Sequence, residues 1–109
     1  MGFHAFEIGL ELVQCLRLPI ERIRKHDRDL AIQLRRAATS VPLNVAEGNR
    51  RGGQDRRQHF RIAAGSAAEV RAALLVAKAW GYVEARCVEA PLALVDRQLA
   101  LLWRLTEPR

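Results

Sequence analysis

A short glycine-containing segment in the middle of the chain, GNRRGGQDRR, holds four arginines at positions 50, 51, 56 and 57. A fifth, Arg61, follows Arg57 by one turn if this part of the chain is helical. Guanidinium groups this close repel one another unless an anion offsets them, and phosphate oxygens are their usual ligands in nucleic-acid complexes. We therefore predict a phosphate-binding patch for RNA or DNA. Its candidate residues are Arg35, Arg36, Arg50, Arg51, Arg56, Arg57 and Arg61.

Pairing inside the protein is the alternative for each of these arginines. Glu47, Asp55 and Glu69 lie close in sequence, and surface arginines commonly form weak ion pairs with such neighbours. Glu47 also falls in the last turn of the second predicted helix, where a carboxylate opposes the helix dipole. We expect its charge to be compensated by Arg36, Arg51 or an arginine of the third helix.

The other residues that could do chemistry lack the partners that a catalytic site needs. None of the acids has a histidine three residues later, as a di-iron bundle requires, and His4, His26 and His59 are dispersed. Ser40 and Ser66 lie among small residues without a nucleophile-elbow pattern, and GNRRGG lacks the lysine and the Ser/Thr of a phosphate loop. We predict a protein that is not an enzyme and that uses no metal and no cofactor.

The composition of the chain favours a helical protein with an anionic partner. Half of its 109 residues are apolar, which is enough to build the core of one domain. Aromatic residues make up only 6% and alanine is abundant, which is typical of closely packed helices. Sixteen arginines and two lysines against twelve acids give a net charge of +6. This charge suits a polyanion, although solubility alone also accounts for a basic surface.

The cysteines and the amino-terminal segment bear on localisation. Cys15 and Cys87 are too few for a disulfide framework and too isolated for a zinc site, so we expect buried thiols in a reducing compartment. The segment MGFHAFEIGLELVQ carries acids among its apolar residues and has no basic leader. We therefore expect neither a signal peptide nor a membrane anchor, and a cytoplasmic protein.

Four segments with apolar residues at alternating steps of three and four predict an all-α protein. Asp27 or Asp29 is the expected N-cap of the second helix, and Gly48 with Asn49 offers a left-handed end to it. Because short corners join the helices, we predict a single-domain, antiparallel up-down-up-down four-helix bundle. The predicted helices cover approximately residues 3–24, 28–47, 54–80 and 85–106.

Prolines and small residues set further expectations within these helices. Pro19 predicts a kink or a break in the first helix near residues 15–18, because proline removes a backbone donor and crowds the preceding turn. Gly65 and Ser66, in a run of small residues of the third helix, predict a close approach of another helix.

The first and fourth helices are apolar over more than one stripe. A monomeric bundle would expose this surplus, and we expect it to form an interface between copies of the chain. Scattered surface leucines are the alternative. The residues concerned are Leu10, Leu12, Leu94, Leu101, Trp103 and Leu105.

Three runs of the sequence, QLRRAATSVPLNVAEGNRR, FRIAAGSAAEV and AWGY, carry a resemblance to a known family. They resemble the bacterial four-helix bundle proteins from intervening sequences of large-subunit ribosomal RNA, a family that includes the accessory variability proteins of diversity-generating retroelements. The resemblance is close over residues 33–82 and is one of pattern in the first and last helices. Its structural motif comprises Ser40, Pro42, Asn44, Glu47, Gly48, Gly65, Ser66 and Glu69.

The resemblance implies a homopentameric ring of four-helix protomers with a basic surface. For the retroelement branch it also implies binding to nucleic acid and to a reverse transcriptase. The basic segment RKHDRD between the first two helices departs from the commoner connection in the family. We therefore expect a self-associating bundle that holds RNA or DNA without reading its sequence. The alternatives are a scaffold for an acidic protein such as a reverse transcriptase, and a purely structural oligomer.

Overall fold

The computed structural model describes residues 1–107, which form four α-helices. Each helix packs against its neighbours along the chain, and α1 also packs against α4. The result is the predicted antiparallel four-helix bundle, with principal dimensions of 43 × 22 × 19 Å. No strand occurs among the described residues, and none of their helices is long and apolar enough to cross a membrane. The helices are α1 (Gly2–Arg24), α2 (Arg28–Arg50), α3 (Gly53–Ala79) and α4 (Ala85–Thr106).

The corner between α2 and α3 lies later than the sequence indicates. The expected left-handed end at Gly48 is wrong, because Gly48 is buried inside α2, which continues to Arg50. Arg51 leaves the helix in an extended conformation, and the positive φ of 60° falls on Gly53 instead. A two-residue corner, Arg51 and Gly52, therefore joins the two helices.

The prolines lie inside continuous helices. The predicted break near residues 15–18 is wrong, since α1 runs unbroken past a buried Pro19. Pro42 is also buried, and it packs where α1 and α2 approach each other closely. A methyl group on Gly9 of α1 would lie 3.2 Å from the Cβ atom of Pro42. Tertiary packing of this kind outweighs the local cost of a missing helical hydrogen bond.

The N-terminal cap of α2 and the C-terminal cap of α3, at the other two corners, follow from the local sequence. Asp27 is the N-cap of α2, and its Oδ1 atom accepts a hydrogen bond from the amide of Leu30 at 3.0 Å. At the end of α3 the amide of Tyr82 donates to the carbonyl of Ala77 at 2.9 Å, and that of Gly81 to Lys78 at 3.0 Å. Together with the φ of 79° at Gly81, these bonds form a Schellman motif.

The core has two apolar clusters and one buried polar side chain. Leu12, Leu34 and Leu74 are completely buried in the larger cluster, and Phe60 is completely buried in the smaller one. Gln98 is also fully buried, and its Nε2 atom donates to the carbonyl of Ala5 at 3.1 Å. This bond links α4 to α1 near one end of the bundle.

The expected apolar surplus on α1 and α4 is partly buried and partly exposed, with Phe3 and Leu18 of α1 also on the surface. Leu12 is completely buried, while Leu10 and Trp103 are exposed as predicted. Three further leucines are half-buried and pack along the edges of the two core clusters. They are Leu94, Leu101 and Leu105.

Two further expectations about small residues also need correction. Gly65 is exposed, and a methyl group there would meet no atom within 4 Å, so the predicted close approach does not occur at Gly65. Cys15 and Cys87 are free thiols that are half-buried rather than buried. Partial burial raises the pKa of the Cys15 thiol.

Candidate nucleic-acid interface

A close contact between α2 and α3 lies just before their shared corner. A methyl group on Gly48 would lie 2.6 Å from the Cε1 atom of Phe60, so only glycine leaves room for the ring. The guanidinium of Arg56 lies over this ring, with Cζ 4.9 Å from the centroid. Its Nη1 atom donates to the carbonyl of Gly48 at 3.3 Å. Arg56 is therefore partly committed to holding the corner together.

One end of the bundle gathers arginines from three helices, and we call it the basic pole. At this end α1 and α3 begin while α2 and α4 end. Arg104, in the last turn of α4, lines the same depression as Arg56 and Arg57, together with Glu107. Arg104 did not belong to the predicted patch, because it is distant in sequence and becomes a neighbour only through the up-down topology. The basic pole comprises Arg50, Arg51, Arg56, Arg57 and Arg104.

Two arginines of the basic pole are paired within the protein. Arg51 Nε lies 3.2 Å from Glu47 Oε2, and Arg51 Nη1 lies 3.6 Å from Asp55 Oδ2. Arg50 Nη1 lies 3.5 Å from Glu47 Oε1, although its side chain is 79% exposed. The expected compensation of Glu47 by Arg51 is therefore present. These pairs reduce the charge that Arg51 offers to an external anion.

Other arginines near the corner are free of such partners. Within residues 1–107, no carboxylate lies at ion-pair distance from Arg57, Arg61 or Arg104. Arg61 shares a shallow surface depression with Arg57, so the structure brings these two residues together as predicted. Arg57, Arg61 and Arg104 therefore have guanidinium groups that could donate to phosphate oxygens, although Asp55 lines the depression of Arg57 and Arg61.

The predicted extension of the patch along α2 stays a prediction, and its two residues lie apart from the basic pole. Arg35 and Arg36 line a separate groove of α2 together with Ile32, Thr39 and Leu43. Arg36 precedes Arg50 by fourteen residues in one helix, which corresponds to about 21 Å along its axis. A long stretch of α2 therefore separates Arg36 from the corner.

A chain of polar side chains, which we call the polar seam, joins α2 to α3 above the corner. The Oγ atoms of Ser40 and Ser66 lie 2.7 Å apart, and Asn44 Nδ2 donates to the Oγ and carbonyl oxygen of Ser40, both at 3.0 Å. Asn44 Oδ1 lies 3.1 Å from Nδ1 of His59, which donates here if it carries the proton. The motif residues Ser40, Asn44 and Ser66 therefore act together in helix pairing, and His59 contacts an amide rather than a serine hydroxyl.

The remaining motif acid, Glu69, is one of the three acids given above as alternative partners for the arginines. Glu69 is exposed and lines a shallow depression with Arg36, but in the described part of the chain no arginine reaches it at ion-pair distance. The neighbouring Asp29 and Gln33 line the same depression. This second depression therefore contains charges of both signs, with the carboxylates of Asp29 and Glu69 beside the guanidinium of Arg36.

The charge state of Glu47 gives a direct check on the geometry of the corner. The hydrogen bond from Arg51 lowers the pKa of the Glu47 carboxyl, against a smaller upward effect of burial, and the charges of Arg50 and Arg51 lower it further. Because the folded-state pKa is depressed, this interaction adds stability above the ordinary glutamate pKa and loses it as the pH falls through the folded value. The free energy of unfolding should therefore fall as the Glu47 carboxyl is protonated in acid.

We expect the Glu47 carboxyl, followed by NMR, to titrate below the ordinary glutamate range, and Arg51→Ala to raise its midpoint. Arg22→Ala is a suitable control, because Arg22 is exposed and lies on α1 near the opposite end of the bundle. An unchanged Glu47 midpoint in Arg51→Ala would show that the pair does not persist in solution.

The fold and the corner together define a small all-α four-helix bundle protein. Its sequence matches the model of the 23S rRNA-intervening sequence proteins over residues 4–104. The chain therefore belongs to the 23S rRNA-intervening sequence protein family, in agreement with the resemblance of its central helices.

The bundle is also similar to a solved structure. A crystal structure at 1.70 Å resolution of a protein with unknown function, from the S23 ribosomal protein family of Bacteroides thetaiotaomicron VPI-5482, superposes with a TM-score of 0.86. The match covers 95% of this chain and 99% of the other at 17% sequence identity, so it shows the shared fold alone. No curated protein matches the chain.

Proposed function

We propose that the protein is a non-enzymatic bundle that binds RNA or DNA phosphates at the basic pole. The observation that carries this proposal is the meeting of Arg57 and Arg104, from different helices, in one depression without an ion-pair partner among residues 1–107. Glu107 lines the same depression but is not within ion-pair distance of either. A phosphate placed there would relieve the repulsion between the two guanidinium groups.

Binding at this pole would depend on the phosphate backbone rather than on base sequence. Arginine contacts to phosphate fix a protein on nucleic acid but carry no sequence information themselves. Arg57 and Arg61 lie on α3 one turn apart, so they face the same side and can contact neighbouring phosphates. The proposed activity is therefore sequence-independent binding by an accessory protein.

We also propose that the bundle assembles into a homo-oligomeric ring, with five protomers as the resemblance implies. Support comes from exposed apolar side chains beside the polar seam, where Leu43 is 60% exposed and Ile62 is 41% exposed. Leu43 follows Ser40 by three residues and Ile62 precedes Ser66 by four, which places each on the flank of the seam. A ring would repeat the basic pole and so raise the avidity for a long polyanion.

A salt series with purified protein, freed of co-purified nucleic acid, tests the proposal. We expect affinity for random-sequence duplex DNA to fall steeply with salt, since arginine binding releases counterions. If Arg57, Arg61 and Arg104 each neutralise one phosphate per protomer, the slope of log affinity against log salt should be about −2.7. Light scattering at each salt concentration would show whether the oligomeric mass stays constant across the series.

Absence of binding even at low salt would overturn the nucleic-acid proposal. The protein would then be better described as a scaffold whose arginines meet an acidic protein surface. Such a partner, for example a reverse transcriptase, should be retained by the immobilised bundle after nuclease treatment, since its binding would not depend on nucleic acid.

A further inference from the structure

Three aromatic rings are stacked at the end of the bundle opposite the basic pole. The ring of Tyr82 lies 5.1 Å from that of His26 with an interplanar angle of 4°, and 6.3 Å from that of Trp80 with an angle of 14°. His26 belongs to the turn between α1 and α2, whereas Trp80 and Tyr82 belong to the turn between α3 and α4. We call this group the aromatic pole.

The backbone around these rings holds them in place. The Schellman motif at the end of α3 fixes the chain between Trp80 and Tyr82, and Gly81 supplies the positive φ of 79° that the turn needs. Tyr82 is half-buried and packs against the core. Trp80 is 68% exposed, so most of its surface faces solvent. The aromatic pole therefore presents an anchored ring system with one large indole available for stacking.

Basic residues adjoin the rings in the sequence. Lys25 and Arg28 flank His26 in sequence where α1 is joined to α2, and Lys78 precedes Trp80 by two residues. These three side chains have no carboxylate at ion-pair distance within residues 1–107.

Most of the acidic side chains at this end already form an ion pair or a hydrogen bond within the protein. Glu21 pairs with Arg24 at 2.7 Å, and Glu84 pairs with Arg86 at 2.8 Å. Asp27 accepts the capping hydrogen bond of α2. Asp29 is the remaining acid of the α1–α2 turn region, so uncompensated positive charge exceeds negative charge around the rings.

This combination selects among the ligands that stack on aromatic rings. A cationic ligand would be repelled by the surrounding lysines and arginine, although aromatic surfaces otherwise attract cations. A flat, uncharged ring attached to phosphates satisfies both the indole and the positive charges, and this is the chemistry of an unpaired nucleotide. Interior bases of a duplex are already stacked on both faces and cannot lie on Trp80.

We propose that the aromatic pole binds single-stranded nucleic acid by stacking an unpaired base on Trp80, with Lys25, Arg28 and Lys78 contacting the adjacent phosphates. This inference rests on the proposed function for the class of partner, and it adds a second site and a preference for unpaired strands. The basic pole and the aromatic pole lie at opposite ends of a bundle 43 Å long, so each can be altered separately.

Fluorescence of Trp80 gives a direct test. The chain has two tryptophans, Trp80 and Trp103, so Trp103→Phe leaves Trp80 as the single reporter. We expect oligothymidylate and oligouridylate to quench its emission, and duplex DNA of equal length to leave it nearly unchanged. Thymidine monophosphate serves as a further probe, and quenching by it at the same concentration would assign the site to a free nucleotide and overturn the strand proposal.

Paired variants then separate this site from exposed aromatic surface in general. Trp80→Leu should weaken binding of the single strand about 5- to 150-fold, the range for loss of one base–aromatic stack. Trp80→Phe should restore most of it. Trp103→Leu is the matched control, because Trp103 is also exposed but lies near the basic pole.

The outcomes distinguish this inference from the proposed function. Salt-sensitive binding that is equal in Trp80→Leu and the unaltered protein would overturn the aromatic site and leave the basic pole in place. A greater loss in Trp103→Leu than in Trp80→Leu would likewise overturn it. Binding that depends on Trp80 but is unaffected by charge reversal of Arg57 and Arg104 would support the aromatic pole and count against the basic pole.

Discussion

Replacing Phe60 by alanine is expected to lower the free energy of unfolding by about 3–5 kcal/mol. Phe60 is completely buried in the smaller core cluster, where it fills the space above Gly48 and carries the guanidinium of Arg56 on its ring. Alanine would leave a cavity and would also remove the surface on which Arg56 rests. Chemical denaturation at a fixed protein concentration measures the change, since assembly would make stability depend on concentration.

The contact between Gly48 and Phe60 predicts a reversal of sign in a double-mutant cycle. Gly48→Ala alone should destabilise the protein by about 1–3 kcal/mol, because its methyl group would overlap the ring. In a Phe60→Ala background the overlap disappears, and the same change should stabilise the helix by up to about 1 kcal/mol.

Gly65 provides the matched control for this cycle. It also lies inside a helix, but a methyl group there would meet no atom within 4 Å. Gly65→Ala should therefore stabilise the protein by up to about 1 kcal/mol in both backgrounds. If Gly48→Ala were as stabilising as Gly65→Ala in the unaltered protein, the close packing of α2 on α3 would be refuted.

The number and order of the helices could be predicted from sequence because they depend on a strong local signal. Apolar residues recur with the helical period through all four segments, and the carboxylate of Asp27 marks the start of α2 as expected. The corner after α2 could not be placed, because a glycine at position 48 has two physical explanations. It can end a helix by adopting a positive φ, or it can admit a neighbouring ring, and here the ring of Phe60 decides.

Pro19 illustrates the same limit. Proline disfavours the interior of a helix by its local chemistry, yet α1 is continuous through it. Pro19 is buried. Its packing depends on contacts between helices, and the local sequence pattern does not contain them. The position of the extra leucines of α4 also depends on contacts between helices. A second apolar stripe indicates an interface only when the core leaves it uncovered, and Leu94 and Leu101 pack along the core edge.

The candidate site was predictable only where its residues are neighbours along one helix. Arg57 and Arg61 could be placed side by side because they lie one turn apart on α3. Arg104 could have been found by combining the up-down topology with the position of the last turn of α4. No pattern in the sequence indicates that Arg56 would donate to the carbonyl of Gly48. The stack of His26 on Tyr82 similarly joins two turns that are far apart in sequence.

Reversing the charges of Arg57 and Arg104 together is expected to weaken binding of duplex DNA about 100-fold or more at low salt. Each charge-assisted hydrogen bond to phosphate is worth about 1.5–3 kcal/mol, and every 1.4 kcal/mol corresponds to a tenfold change in affinity. The salt slope should also become shallower by about 1.8, since two phosphates would no longer be neutralised. Anisotropy of a labelled duplex across a salt series measures both quantities.

Arg56 is a poor choice for this experiment, although it belongs to the basic pole. Its guanidinium lies over Phe60 and donates to the carbonyl of Gly48, so Arg56→Glu would disturb the corner as well as the charge. Loss of binding in that variant could not be separated from loss of local structure. Arg57 and Arg104 have no hydrogen-bonded partner of this kind among the described residues.

A second double variant, Arg35→Glu with Arg36→Glu, changes the net charge by the same amount on the separate groove of α2. Long-range attraction depends on net charge and should fall equally in both double variants, whereas direct phosphate contact should be lost only at the basic pole. A much larger loss for Arg57 and Arg104 therefore locates the contact. Equal losses, with unchanged oligomeric mass and helicity, would reduce the role of the basic pole to general electrostatic attraction.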